Sequence, residues 1–228
     1  MADMNQFTAA EAAFMLREPI HNVKKALDMG PVRPVLQLRS GAFVRVIDWL
    51  DLLYLFAVRA LREDLTPRAR GQFHEALRRA RPERGGPRSG DPRSGDLGSG
   101  DPRFGDEVRF GRFRVAIADV VDEVKQRTAD LAELRDKVTL ADDGTAVLAS
   151  RGVEVHRIAA LLNGGLSVNA VLEEYPFLSR AAIETARAYA QASPRPGRPY
   201  PRTTANRAMR DPDFGRPDEV PDDADDGG

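Results

Sequence analysis

Apolar residues recur along this chain at helical spacing in short stretches, each bounded by capping residues, glycine or proline. Thr8-Ala9-Ala10-Glu11 has the form of a capping box and predicts a helix to about Leu16. Pro19 permits a second helix, with Ile20, Val23 and Leu27 inward and His21, Asn22, Lys24, Lys25 and Asp28 outward, stopped by Gly30-Pro31. Apolar runs over 35–38 and 43–47 flank Arg39-Ser40-Gly41-Ala42 as a hairpin, and Asp48 caps a helix over 49–58. That helix is apolar nearly all round, so it must be covered by the second half of the chain or by a second chain. Thr66-Pro67 opens another helix, with Ala69, Phe73, Ala76 and Leu77 inward and Arg68, Arg70, Arg78 and Arg79 outward.

Order resumes at Val108, where Val108, Phe110, Phe113 and Val115 predict a short strand pair or a bulged strand that changes phase at Gly111. The stripe Ile117, Val121, Val124, Thr128, Leu131, Val138 then reads as a long helix with a narrow seam, satisfied within the chain or by a partner chain. Runs over 138–140 and 146–148 bracket Ala141-Asp142-Asp143-Gly144, a hairpin turn; the adjacent aspartates have no third oxygen ligand nearby to suggest a metal. Over 153–191 three short helices follow. Val155, Ile158, Ala159 and Leu162 form one face ended by Asn163-Gly164-Gly165, and Ser167 and Ser179 each cap a helix between stapled pairs, Leu166 with Val171 and Leu178 with Ile183.

Between these ordered parts, Pro87-Arg88-Ser89-Gly90-Asp91 recurs over 92–96 and, degenerately, over 97–101 and 102–106. Proline, glycine and compensating charges cannot build a core, so 81–106 is expected to be a disordered linker. The chain thus divides into 1–80, a helix, helix, hairpin, helix domain with a helical extension; 81–106, the linker; 107–192, a long helix, hairpin and three-helix domain; and 193–228, an extended tail, basic and then acidic. The expected fold is mainly α with short β-hairpins.

Net charge is -1, so any nucleic-acid binding must come from local clusters. Absence of cysteine removes thiolate catalysis, thiolate metal sites and disulfides together. The apolar run over 49–58 is far short of the roughly 20 residues that span a bilayer, and 1–14 lacks a signal-peptide pattern, so a cytoplasmic protein is expected. The histidines, His21, His74 and His156, stand in unrelated contexts, and no phosphate-binding glycine loop follows a strand. No catalytic residue, metal ligand or cofactor is assigned; the expectation is a protein that is not an enzyme.

Two resemblances give these elements a functional frame. Helix, helix, hairpin, helix is the winged helix-turn-helix order, and the opening FTAAEAAFML resembles the MerR or excisionase type. That resemblance implies that the second helix enters the major groove, with Asn22, Lys24 and Lys25 at the DNA and Arg39 and Arg45 on the wing. The order IAALLNGGLSVNAVLEEYPFLSRAAIETARAYA resembles the small helical family known as domain of unknown function 433, the VapB-type antitoxins, in their longer two-domain form. Its usual Gly-Thr-Arg-hydrophobic-Pro-Val entry turn is replaced here by Ser150-Arg151-Gly152-Val153-Glu154-Val155. The family resemblance implies an antitoxin that neutralises a PIN-like ribonuclease toxin and represses its own operon by binding operator DNA. In such a pair Arg195, Arg198, Arg202, Arg207 and Arg210 are candidates to occupy the carboxylate-rich active site of the toxin. A stand-alone DNA-binding regulator is the alternative. Either way a homodimer is expected, through the helix over 49–58 or the seam over 117–138.

Overall fold

Thr8 sets the first helix in place by local chemistry. Its hydroxyl accepts the Glu11 N–H at 3.2 Å while the Glu11 carboxylate accepts the Thr8 N–H at 2.8 Å, which is the predicted capping box closed at both ends. The computed structural model describes residues 6–39, 42–61, 64–80 and 106–195, and over these the chain is mainly helical with small antiparallel sheets. The predicted linker, up to Gly105, and the tail beyond Arg195 lie outside the described residues.

Strand β1 (Gln6–Thr8) runs directly into helix α1 (Ala9–Leu16). Arg17 ends α1 in the left-handed region at φ 54°, where its N–H and that of Glu18 bond back to the Phe14 and Ala13 carbonyls. Helix α2 (Ile20–Met29) follows Pro19, and strands β2 (Val35–Arg39) and β3 (Ala42–Asp48) form the predicted hairpin. β1 is an addition to the predicted elements. It pairs antiparallel with β3 and carries the buried Phe7, giving a sheet of order β1-β3-β2.

Helix α3 (Trp49–Ala60) starts on the predicted cap, the Asp48 carboxylate accepting the Asp51 N–H at 2.9 Å. Every residue from 50 to 57 is buried. Cover comes from within the chain: α4 (Pro67–Arg79) packs on one side and α5 (Ala118–Asp136) on another. α5 turns Val121, Val124, Leu131 and Leu134 inward. Val138, assigned by its spacing to the end of that seam, lies beyond the helix in strand β6 (Val138–Leu140), and Leu134 takes the inner place. The hairpin β4 (Glu107–Phe110) and β5 (Phe113–Ala116) turns at Gly111, φ 56°, and places Phe110 5.3 Å from Phe73 of α4. One hydrophobic core therefore joins β1 to α4 with β4, β5 and α5.

A second core lies in the segment that follows. Strand β7 (Ala146–Leu148) pairs with β6, and the turn between them is the predicted one, with Gly144 at φ 79° and the Asp143 carboxylate accepting the Thr145 N–H. Helices α6 (Val155–Asn163), α7 (Val168–Glu174) and α8 (Arg180–Ala192) follow, the last two capped by Ser167 and Ser179 as predicted. Ala146, Leu148, Val155, Ile158, Leu161, Val171, Leu178, Ile183 and Ala186 fill this core. Helix α8 packs against α6 on one side and α1 on the other, and Tyr189 touches both cores.

Arg78 keeps its predicted outward place, with a side chain 39% exposed, but it is ion-paired as well as solvated. Its guanidinium bonds the buried Asp51 at 2.6 Å and Asp48 at 2.9 Å, while His74, buried like Asp51, stands 2.8 Å from the same Asp51 oxygen and edge-on to Tyr54. Carboxylates on α3 and its cap are thus paired with the basic residues of α4, a partnership across 27 residues that no local pattern reveals. Burial alone would raise the Asp51 pKa, but the hydrogen bonds from His74 and Arg78 outweigh it and hold the carboxyl below its ordinary value of 3.8. A group with a depressed folded pKa contributes stability above its unfolded pKa and loses it as pH falls through the folded one. Urea unfolding should therefore show a loss of stability below about pH 3.9 that Asp51→Ala lacks. At neutral pH the same substitution should cost about 3 kcal/mol, since it strands two buried or half-buried bases. A cost below about 1 kcal/mol, the level of an exposed pair, would contradict the pairing.

Candidate functional site

Helix α2 buries only Val23 and Leu27, residues one turn apart, and leaves His21, Asn22, Lys24, Lys25, Ala26 and Asp28 exposed. Two apolar contacts are enough to seat a ten-residue helix against α1 while its outer side stands clear of the body. Lys24 and Lys25 lie on that outer side, and among the described residues neither has an ion-pair partner. Asn22 donates from its side-chain amide to Glu18 at 3.0 Å, and Glu18 also lies 3.8 Å from Arg59 of α3. Both contacts fix the start of α2 against its surroundings.

The two hairpin arginines are separated by the sheet register. Arg45 stands opposite Leu36 and Arg39 opposite Ala42, and successive residues alternate, so the two side chains lie on opposite faces. Arg45 reaches Asp28 on α2 in a half-exposed ion pair, tying β3 to the far end of that helix. Arg39 points inward. It donates to Gln37 at 2.9 Å and to the Gln6 carbonyl at 3.3 Å, lies 3.7 Å from Glu11, and has a side chain only 21% exposed. The parity that divides them is readable from the two residues between Arg39 and Ala42, once the hairpin is drawn.

Of the tail arginines, Arg195 is described, and it bonds Glu154 at 2.7 Å while His156 stands 2.8 Å from the Ser193 carbonyl. These contacts hold the end of α8 against the start of α6. Arg198, Arg202, Arg207 and Arg210 lie outside the described residues. Among the described residues no group of three or more potential ligands converges on a metal position, and no helix is long and apolar enough to cross a membrane.

A cleft of about 430 Å³ opens beside the Asp51, His74 and Arg78 cluster, bordered also by Gln6, Arg33 and Val35. Sequence spacing placed none of these together. The signal that could have found them is a charged residue, Asp51, inside an otherwise apolar helix, because such a carboxylate requires a basic partner from another element.

No solved structure matches the chain. Among curated proteins, "Uncharacterized protein y4eO" of Sinorhizobium fredii is 40% identical over 76 residues, which is 32% of this chain. The chain spans 34% of the length of that relative. The unit built from β7 and helices α6 to α8 is where the family likeness lies: residues 143–190 match the family described as "Protein of unknown function (DUF433)".

Proposed function

We propose that this protein is the antitoxin of a type II toxin-antitoxin system, which binds operator DNA through its N-terminal elements and a PIN-like ribonuclease toxin through its C-terminal ones. The observation that carries the DNA half is the outer side of α2, which offers Asn22, Lys24 and Lys25 to solvent on a helix seated by two residues. In a winged helix-turn-helix made of α1, α2 and the β2–β3 hairpin, α2 lies in the major groove. Lys24 and Lys25 neutralise phosphates, Asn22 reads a base edge, and Arg45 flanks the helix from β3. Arg39 acts from behind, holding the hairpin to Glu11. Support for the toxin half is the match of 143–190 to the DUF433 family, together with the arginines that follow α8. The α6 to α8 unit supplies the anchor, and Arg198, Arg202, Arg207 and Arg210 engage the acidic nuclease site, with Arg195 released from Glu154 to join them.

Anisotropy titrations with the DNA upstream of the coding sequence test the first half. Lys24→Ala and Lys25→Ala should each weaken binding to all sequences alike and lower the slope of log affinity against log salt by about one. Asn22→Ala should instead reduce discrimination at one base pair by about 1–3 kcal/mol. Failure of the full chain to bind that DNA at low salt would remove the DNA role.

For the toxin half, the chain truncated after Gln191 should bind the neighbouring nuclease more weakly than the full chain and leave its ribonuclease activity largely uninhibited. Equal binding and inhibition would assign neutralisation to the helices alone. If the full chain binds DNA but no encoded nuclease, the stand-alone regulator replaces the antitoxin.

A further inference from the structure

Strand β2 lies at the edge of its sheet: β3 pairs with one side, and among the described residues no strand pairs with the other. Edge strands are ordinarily protected by charge, proline or a bulge. Between Val35 and Arg39 that protection is missing, since the one charge is Arg39, already turned onto Gln37, the Gln6 carbonyl and Glu11. Instead the edge is apolar and open. Val35, Leu36 and Leu38 are 64%, 65% and 61% exposed, and Phe43, opposite Leu38 on β3, is 75% exposed. The ionic pair beside them, Arg45 with Asp28, is internally neutral.

We infer that a second copy of this chain docks here, β2 pairing antiparallel with the partner's β2 about a twofold axis at Gln37. The centre of the strand is self-complementary in that register, and at its ends Val35 stands opposite the partner's Arg39. Leu36 meets the partner's Leu38 on one face and Leu38 meets the partner's Leu36, so apolar residues oppose apolar residues on both sides of the axis. Backbone direction agrees: the two-residue connection closed by Arg39 and Ala42 puts the odd-numbered residues in bonded pairs with β3, which leaves the amides and carbonyls of Leu36 and Leu38 facing outward. The result is one six-stranded sheet. At their exposures the four apolar side chains present on the order of 500 Å² per protomer, of which the partner strand covers a part, so the contact is of the small, moderate-affinity kind. The faces that the sequence suggested for a dimer, on α3 and α5, are buried within a single chain, whereas among the described residues β2 with Phe43 groups four exposed apolar side chains on one hairpin.

Because the chain has no cysteine, Gln37→Cys is a unique reporter. As a non-bonded antiparallel pair across the axis, the two substituted residues stand about 4.5 Å apart at Cα, within the range that a disulfide bridges. Sedimentation equilibrium of the full chain should show a dimer at tens of micromolar, an order-of-magnitude figure for moderate affinity. Mild oxidation should link Gln37→Cys into a covalent dimer and leave Phe177→Cys, a half-exposed control on the loop before α8, unlinked. Leu36→Lys with Leu38→Lys should give a monomer with the circular dichroism of the wild type; if that variant fails to fold, the cross-link decides alone. A wild-type monomer at this concentration overturns the inference, as does a dimer that Gln37→Cys does not capture. No DNA or toxin enters the experiment, so its outcome is separate from the proposed function.

Discussion

The carboxylate of Glu11 holds together parts of the chain that lie far apart in sequence. The Glu11 side chain is only 9% exposed, and a charged group in that position requires partners. It finds three: the Thr8 N–H that completes the α1 cap, the Arg135 guanidinium from the end of α5, and, at 3.7 Å, Arg39 from β2. Removing any one of them leaves part of a buried charge uncompensated, which costs far more than an exposed ion pair contributes. A single side chain thereby sets the start of α1, the tilt of the hairpin and the approach of α5. The seat of α2 depends on the same arrangement, because its two buried residues pack in the core that α1 and α5 share, and Arg45 fixes its far end to the hairpin.

Helix α8 extends this arrangement to the second core. Its inner face serves α6, yet Ala192 enters the first core and Tyr189 packs against both, with α8 lying directly on α1. In the proposed function, the helix nearest the toxin-binding segment is thus packed on the first helix of the DNA-binding unit. Burial raises the Tyr189 hydroxyl pKa, in keeping with a ring closed in between the two cores.

Legibility followed the range of the interaction. The caps at Thr8, Asp48, Thr66, Ser167 and Ser179 are all formed, because a cap is decided within three residues of chain. Turns at Gly111 and Gly144 were equally readable, since positive φ there needs glycine's freedom. What escaped was set by distant partners. Arg78 faces outward as its helix predicts, but its pairing with Asp51 is not visible there; Arg39 and Arg45 look alike on a hairpin and are divided by register; Glu11 looks like the second half of a cap and also receives Arg135 across 124 residues. The three residues of β1 carry too little pattern to announce a strand, and β3 alone makes them one. Helices α3 and α5 showed apolar stripes whose cover, each other, could not be told from a second chain until the fold was seen.

The dependence of this architecture on Glu11 is open to one direct measurement, the double-mutant cycle of Glu11→Ala and Arg135→Ala in urea unfolding of the full chain. The two groups belong to one buried network, so the substitutions should be strongly non-additive, with a coupling energy of about 1–3 kcal/mol. A coupling within about 0.5 kcal/mol of zero, the behaviour of independent sites, would contradict the role assigned to the Glu11 carboxylate.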